Sequence, residues 1–378
     1  MKISIITVTY NCSSSIERTI QSVISQAYEN KEYIIVDGNS NDGTREIIER
    51  YKDDISLFIS ESDNGIYDAM NKGLSHATGD YVIFINGDDC FADDNALSRI
   101  APYCNGDNIV IGREYCGSRL SEVVDLNTVK SKYYDIFYPH QATFVPLNMF
   151  RKYGFYDETY RTSADFEWIC RAMYAGSKID WVDEIVSKYS IGGRSSLIGC
   201  VQDEYNIAKK YMLLNGEEKL IPDMTSKVIK KAQNTLFRMI VSDEQFYDCL
   251  KQIIERKIEG GFPVRIWGAG FLGTIYFRLF KRLGVNVDLI IDSKCDKVTF
   301  MGIPIVKYEN SYINNVFIAT EEYEDEITSF LNDEGFGEDT GYITHSRMVN
   351  EVICAVGASY RSIEEFEKAT GLSITRVK

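Results

Sequence analysis

The strongest constraint on this chain is the alternation of apolar, strand-length runs with helix-length amphipathic runs over its first 113 residues. Ile3–Thr9 reads as a strand, Ser14–Ser25 as a helix, Glu32–Asp37 as a strand and Asp42–Tyr51 as a helix. Ser56–Ser60, a helix near Tyr67–His76 and the strand Tyr81–Asn86 follow. Strands that alternate with helices predict an α/β fold around a mainly parallel sheet. Three of these strands run out into polar residues: Thr9-Tyr10-Asn11, Asp37-Gly38-Asn39-Ser40 and Asn86-Gly87-Asp88-Asp89. Ligands of open parallel sheets collect at the carboxyl ends of strands, so these clusters are expected to share one crevice.

With 378 residues the chain is too long for one compact core, and two or more domains are expected. The reading divides it into a first α/β domain over 1–199, a helical connector over 200–260, a second α/β unit over 261–345 and a helical tail over 346–378. Within the connector, Lys227, Lys230, Lys231 and Arg238 interleave with Val228, Leu236, Phe237 and Ile240. That pattern fits either a helix packed between domains with a solvated face or an interfacial membrane helix.

No apolar run approaches the roughly 20 residues that cross a bilayer, and Met1–Ile6 reads as a buried strand, so a cytoplasmic chain is expected. Nine scattered cysteines without a CxxC pair suit a reducing compartment. A formal charge of −15 argues against sequence-independent nucleic-acid binding, which rests on neutralising phosphates, and only a local basic patch would reverse that.

Asp88 and Asp89 set two carboxylates where a strand enters a loop, an oxygen donor set suited to Mg²⁺ or Mn²⁺ shared with substrate phosphates. The alternative is a Gly-Asp turn. Asp37 can accept hydrogen bonds from a nucleotide base or ribose, or close an Asx turn, and Asp42 is expected to cap the next helix. Asp68 and Lys72, four residues apart, make either a polar wall for a nucleotide or an ion pair. His140 is a candidate for the metal or the diphosphate, with a structural histidine as the alternative. Arg194, in Gly192-Gly193-Arg194-Ser195-Ser196, is a candidate for phosphate charge, or a solvated turn residue.

The order and spacing of four motifs over about ninety residues, namely Ile3–Asn11, the Asp37 segment, Asp63–Gly73 and the Asp88-Asp89 strand end, resemble the inverting family-two glycosyltransferases of the GT-A fold. The resemblance continues through Tyr138-Pro139-His140-Gln141, Gly154-Phe155-Tyr156-Asp157, Thr162-Ser163-Ala164-Asp165-Phe166-Glu167-Trp168 and Gly192–Ser196. It implies a sheet that binds a nucleotide-diphosphate sugar, with Thr9, Tyr10, Asn11 and Asp37 on the nucleotide and Asp88 or its neighbour on the metal. Asn86 stands where the family's DxD pattern has its first carboxylate, which leaves both ribose and metal open for that position. By motif position Asp165 is the general base, with an N-cap as its alternative and Glu167 as the fallback base. A sugar hydroxyl must lose its proton as it attacks, and a carboxylate can take it. The expected acceptor is a saccharide, lipid-linked or free, in surface polysaccharide synthesis. Such an acceptor would bring the protein to the inner membrane face.

In the second α/β unit, Gly268-Ala269-Gly270-Phe271-Leu272-Gly273 follows a strand and opens a helix, and Asp292 ends the next strand. Glycines there allow a pyrophosphate to approach a helix N-terminus while the carboxylate reaches a ribose hydroxyl. The unit resembles small Rossmann-like domains attached to sugar-modifying enzymes, which implies nucleotide-sugar or regulatory binding, or homo-oligomerisation. Two rival readings stay open: an NAD(P)-dependent nucleotide-sugar oxidoreductase working at Gly268–Gly273, and a non-catalytic nucleotide-sugar-binding scaffold.

Overall fold

The structure, a computed structural model, describes residues 1–116, 119–134, 136–190, 198–228, 237, 247–258, 263–292, 299–307, 315–320, 323–334, 336, 338 and 342–358. The chain divides into two compact units, Met1–Ser226 and Lys227–Lys378. Most of the Lys-rich stretch lies outside the described residues, as does Arg194. Among the described residues no helix is long and apolar enough to cross a membrane.

The first unit opens with β1 (Ile3–Thr9), α1 (Ile16–Ile24), β2 (Lys31–Asp37), α2 (Thr44–Glu49), β3 (Leu57–Ser60), α3 (Ile66–His76) and β4 (Tyr81–Phe84). It continues with β5 (Cys90–Phe91), α4 (Ala96–Ile100), β6 (Asn108–Cys116), β7 (Arg119–Leu120) and β8 (Thr143–Pro146). Next come α5 (Leu147–Tyr153), α6 (Ala164–Tyr174), β9 (Lys178–Tyr189) and α7 (Ile198–Leu214). The sheet runs β3-β2-β1-β4-β8-β6-β9-β5, with β7 on β6. The four strands β3, β2, β1 and β4 are mutually parallel. Antiparallel β8 joins them to the rest of the sheet, where β6 and β9 pair parallel. This mixed, mainly parallel α/β sheet is the GT-A fold.

Every residue of β1 is buried, as expected of a strand covered on both faces. Ile3 and Ile5 pack in one core with Ile16, Ile20 and Val23 of α1, whose spacing puts them on one helical stripe. Ile6 points the other way, toward α3. A Cβ at Gly73 would lie 2.6 Å from Ile6 Cγ2, so α3 sits close to the sheet because that residue has no side chain.

Asp42 acts one residue earlier than expected. The N-cap of α2 is Gly43 at φ 99°, while Asp42 Oδ1 accepts from the Thr44 N–H and hydroxyl. The hydroxyl of Thr44 holds the Asp42 carboxyl well below its usual range.

The second unit contains α8 (Tyr247–Lys257), β10 (Val264–Trp267), α9 (Phe271–Arg282), β11 (Val287–Ile291), β12 (Thr299–Phe300) and β13 (Ile303–Val306). These are followed by β14 (Val316–Ile318), α10 (Glu324–Asp333), β15 (Tyr342–Thr344) and α11 (His345–Ala358). Its sheet runs β12-β13-β11-β10-β14-β15, parallel except for the short β12–β13 pair. Strand order reverses at β10: β11 and β13 are laid down on one side before the chain crosses to β14 on the other.

Candidate active site

Strand β1 lies between β2 and β4, and Thr9 pairs in register with Asp37. The Gly87 N–H donates to Val8 O at 3.0 Å, which continues the β1–β4 alignment past the last strand residue. The three polar strand ends therefore share one edge of the sheet. A Cβ on Gly87 would lie 2.6 Å from Thr9 Oγ1 and 2.9 Å from Thr9 Cβ. Glycine is what allows the loop after β4 to cross the end of β1. Thr9 Oγ1 and Asn86 Oδ1 are buried there without a hydrogen-bond partner among the described residues. Unpaired buried polar atoms are costly unless something arrives to satisfy them.

Tyr10 is 58% exposed, with its ring against Gly38. Asn11, at φ 52°, donates its N–H to Ser40 Oγ and accepts the Asn41 N–H on its side chain. Asp37 is fully buried. It accepts the Ser40 N–H at 3.0 Å, the Ser40 hydroxyl, and the Ser60 hydroxyl at 2.7 Å. It thus ties the loop after β2 to the end of β3. Asp63, which the sequence reading did not single out, presses Oδ2 against Gly38 while Oδ1 accepts the Gly65 N–H.

Asp68 and Lys72 form the ion-pair alternative. Lys72 Nζ lies 3.4 Å from Asp68 and 2.9 Å from Glu61 and donates to Ser62 O at 3.0 Å, while Asp68 accepts the Asn64 N–H. Together they brace the loop ahead of α3.

Asp88 and Asp89 point to different surroundings. Asp89 is 1% exposed. Its Oδ1 accepts the Ser190 N–H at 2.8 Å and its Oδ2 accepts Gln141 Nε2 at 2.9 Å. Burial, with the Asp88 charge beside it, pushes the Asp89 carboxyl up to about 7. Asp88 is partly exposed, and its carboxylate takes no hydrogen bond from another described residue. Its carbonyl is held by Arg18 Nη2 at 2.6 Å and by the Ser190 hydroxyl. Arg18, on α1, was not anticipated; it fastens this loop to the end of β9.

No group of three or more His, Cys, Asp or Glu among the described residues is arranged to hold a metal ion. Asp88, Asp89 and His140 therefore do not make a metal cage, and two of the three are engaged elsewhere. His140 stacks on Phe84 with ring centroids 5.2 Å apart, and its Nε2 lies 3.3 Å from the Tyr156 hydroxyl. Burial lowers the pKa of its imidazole. The remaining donor, Asp88, still fits a hard divalent ion, because such ions bind through one or two carboxylates and take further oxygens from phosphates.

Asp165 stands in the first turn of α6; the N-cap position is Ser163, so capping is not its task. The Tyr67 hydroxyl donates to Asp165 Oδ1 at 2.7 Å. Tyr67 packs on Tyr156, 5.6 Å between centroids, and Tyr156 packs on Phe84 and Phe150. Asn71 fixes Tyr156 by exchanging hydrogen bonds with its backbone, both at 3.0 Å. The motifs of the resemblance contain residues 67, 71, 140, 156 and 165, but that their side chains meet is shown only by the tertiary fold. Glu167, the fallback base, is engaged elsewhere: its side chain is 3% exposed and is held by Arg171 at 2.7 Å and the Tyr211 hydroxyl at 2.6 Å. The turn at His140–Ala142 joins the two carboxylate regions, since His140 lies beside the Asp165 cluster and Gln141 holds Asp89.

In the second unit the Ala269 N–H donates to Asp292 Oδ2 at 2.8 Å. Gly268 has φ 120°, and Gly273 packs against the Gly268 carbonyl, whereas a Cβ at Gly270 would meet nothing within 4 Å. The residues of the fingerprint are thus brought together, with one Asp292 oxygen engaged by the loop itself.

Residues 4–152 match the Glycosyl transferase family 2 profile. An uncharacterized glycosyltransferase of Mycobacterium tuberculosis is 31% identical over 180 residues, which cover 45% of this chain and 68% of that relative. The chain belongs to glycosyl transferase family 2. A PGL/p-HBAD biosynthesis glycosyltransferase of Mycobacterium bovis is 27% identical over 209 residues, covering 52% of this chain and 79% of its own. Among solved structures, S. aureus TarS 1–349 in complex with UDP is 16% identical with a TM-score of 0.49, covering 59% of this chain and 70% of TarS. The family makes this chain a glycosyltransferase, and its polar strand ends lie on the edge of the sheet where an open parallel sheet collects ligands.

Proposed function

We propose that the first unit is a metal-dependent, inverting glycosyltransferase that passes a sugar from a nucleotide diphosphate to a saccharide or lipid-linked saccharide in surface polysaccharide synthesis. The observation that carries the metal assignment is the contrast between neighbouring carboxylates. Asp89 is locked into the protein, while Asp88 is open with no partner from another described residue. When bound there, Mg²⁺ or Mn²⁺ supplies positive charge to the diphosphate oxygens. Thr9 Oγ1 and Asn86 Oδ1 gain partners from the donor, and Tyr10 offers an exposed ring to the base.

Asp165 is the base in this reading. As the acceptor oxygen bonds to the anomeric carbon, the bond to the diphosphate oxygen breaks and its electron pair leaves with the nucleotide. The acceptor proton passes to Asp165. One displacement of this kind inverts the anomeric centre. Asp37 is assigned an indirect part, holding the loop after β2 against the nucleotide through Ser40.

For the second unit we propose a Rossmann-like ligand-binding role at Gly268, Gly270, Gly273 and Asp292, supported by the reversal of strand order at β10. We also propose the division into a domain over 1–199, a connector over 200–260, a second α/β unit over 261–345 and a tail over 346–378.

The test is hydrolysis of UDP-glucose, UDP-GlcNAc and GDP-mannose by the full chain with and without Mn²⁺. Asp88→Ala is expected to abolish the metal-stimulated rate. An equal rate in wild type and variant overturns the metal assignment.

A further inference from the structure

A base that accepts a proton from a sugar hydroxyl must present one oxygen in a fixed direction, and a carboxylate on a free rotor does not. Asp165 is not free. Its Oδ1 accepts the Tyr67 hydroxyl at 2.7 Å, while no described residue donates to Oδ2.

The phenol is itself immobilised. Tyr67 is 7% exposed in the first turn of α3, and its ring leans on Tyr156. Asn71, one turn further along α3, grips the Tyr156 backbone at 3.0 Å on both sides. Tyr67 and the clamp on its packing partner therefore come from one helix, and that helix begins beside the Asp63 loop that touches Gly38.

Among the described residues, Asp165 is faced from three other elements. Tyr67 comes from α3, Tyr156 from the loop after α5, and His140 from the turn before β8. Glu167 and Arg171, on Asp165's own helix, bond to each other. Burial keeps Tyr67 and Tyr156 protonated and disfavours the charged form of His140. The hydrogen bond to Asp165 thus comes from a neutral donor.

We propose that Tyr67 is the positioning residue of the transfer base: its hydroxyl fixes Asp165 Oδ1 and thereby selects Oδ2 as the oxygen that takes the acceptor proton. The proposal rests on Asp165 being the base. A donor on Oδ1 favours the ionised carboxylate. Removing it makes the carboxylate easier to protonate and lets it rotate, whereas a residue that only filled space would leave the titration unmoved.

The experiment titrates the full chain labelled with ¹³C at Asp carboxyl carbons, with Asp165→Asn identifying the resonance, and follows donor turnover against pH. In Tyr67→Phe the titration of the Asp165 resonance and the acid limb of the rate profile are expected to move together toward higher pH. With 3-fluorotyrosine at position 67, a stronger donor of nearly the same shape, both should fall, which keeps the test valid if the phenylalanine variant folds poorly. An unmoved midpoint in both proteins overturns the proposal. Full activity in Asp165→Asn instead removes the base assignment, whatever Tyr67 does.

Discussion

At the scale of single residues, acidic side chains in this chain are separated by what reaches them rather than by what they are. Glu32 is drawn down to about 2 by Lys2, Ser4 and Thr78, whose hydrogen bonds outweigh the burial that opposes them. Glu114 has no such help. Its Oε2 is buried without a partner, and burial, with the Asp89 charge adding, pushes its carboxyl up to about 8 from an ordinary 4.5. The linkage has a definite sign. Below about pH 4.5 both the folded and unfolded chains hold the proton; between 4.5 and about 8 the unfolded chain releases it while the folded chain keeps it, so stability falls as pH rises through that window. At 1.36 kcal/mol per pH unit the loss is at most about 5 kcal/mol. Melting temperature measured from pH 5 to 8.5 should therefore decline more steeply in wild type than in Glu114→Gln. Parallel curves for the two proteins would rule the account out.

At the scale of elements, the half of the site built from parallel strands was legible and the other half was not. Strand β1 falls on its expected residues, as do β9 and β10; for β1 the reason is an apolar run bounded by a polar cluster, which has few other folds. The resemblance brought Asp165 forward by motif position, yet the sequence held no sign of Tyr67 above it or of the Asn71 clamp. Those contacts join residues 98 and 85 apart in the chain, and spacing rules reach only a few residues. Local patterns also could not separate Asp88 from Asp89, since what divides them is Ser190 and Gln141, remote in sequence. Close approach of elements was equally hidden, although it can be tested. In Gly87→Ala the added methyl meets the stiff, β-branched Thr9 at 2.6 and 2.9 Å, so β1 or the Asp88 loop must shift. A cost of roughly 1–3 kcal/mol is expected, together with weaker donor binding in a thermal titration. Unchanged stability and affinity would mean that the loop after β4 is not held by this contact.

At the scale of the whole molecule, each unit has a sheet of its own, and which sheet a ligand protects separates the glycosyltransferase reading from chemistry at Gly268–Gly273. A ligand that binds only the folded state adds stability of RT ln(1 + [L]/Kd), about 2.7 kcal/mol at a hundredfold excess over Kd. The proposed site predicts that a UDP- or GDP-sugar with Mn²⁺ slows amide exchange at the ends of β1, β2 and β4 and raises the melting temperature. It also predicts that Asp88→Ala removes the metal-dependent share of both effects. NADH is the discriminating control. Protection by NADH around β10 and β11, with no response to any nucleotide sugar, would move the chemistry to the second unit. Protection of the first unit by a nucleotide sugar and of the second by a different ligand would make the second sheet a separate binding site beside the transferase. Exchange measured residue by residue distinguishes these outcomes where a melting temperature alone does not, because each sheet reports its own opening.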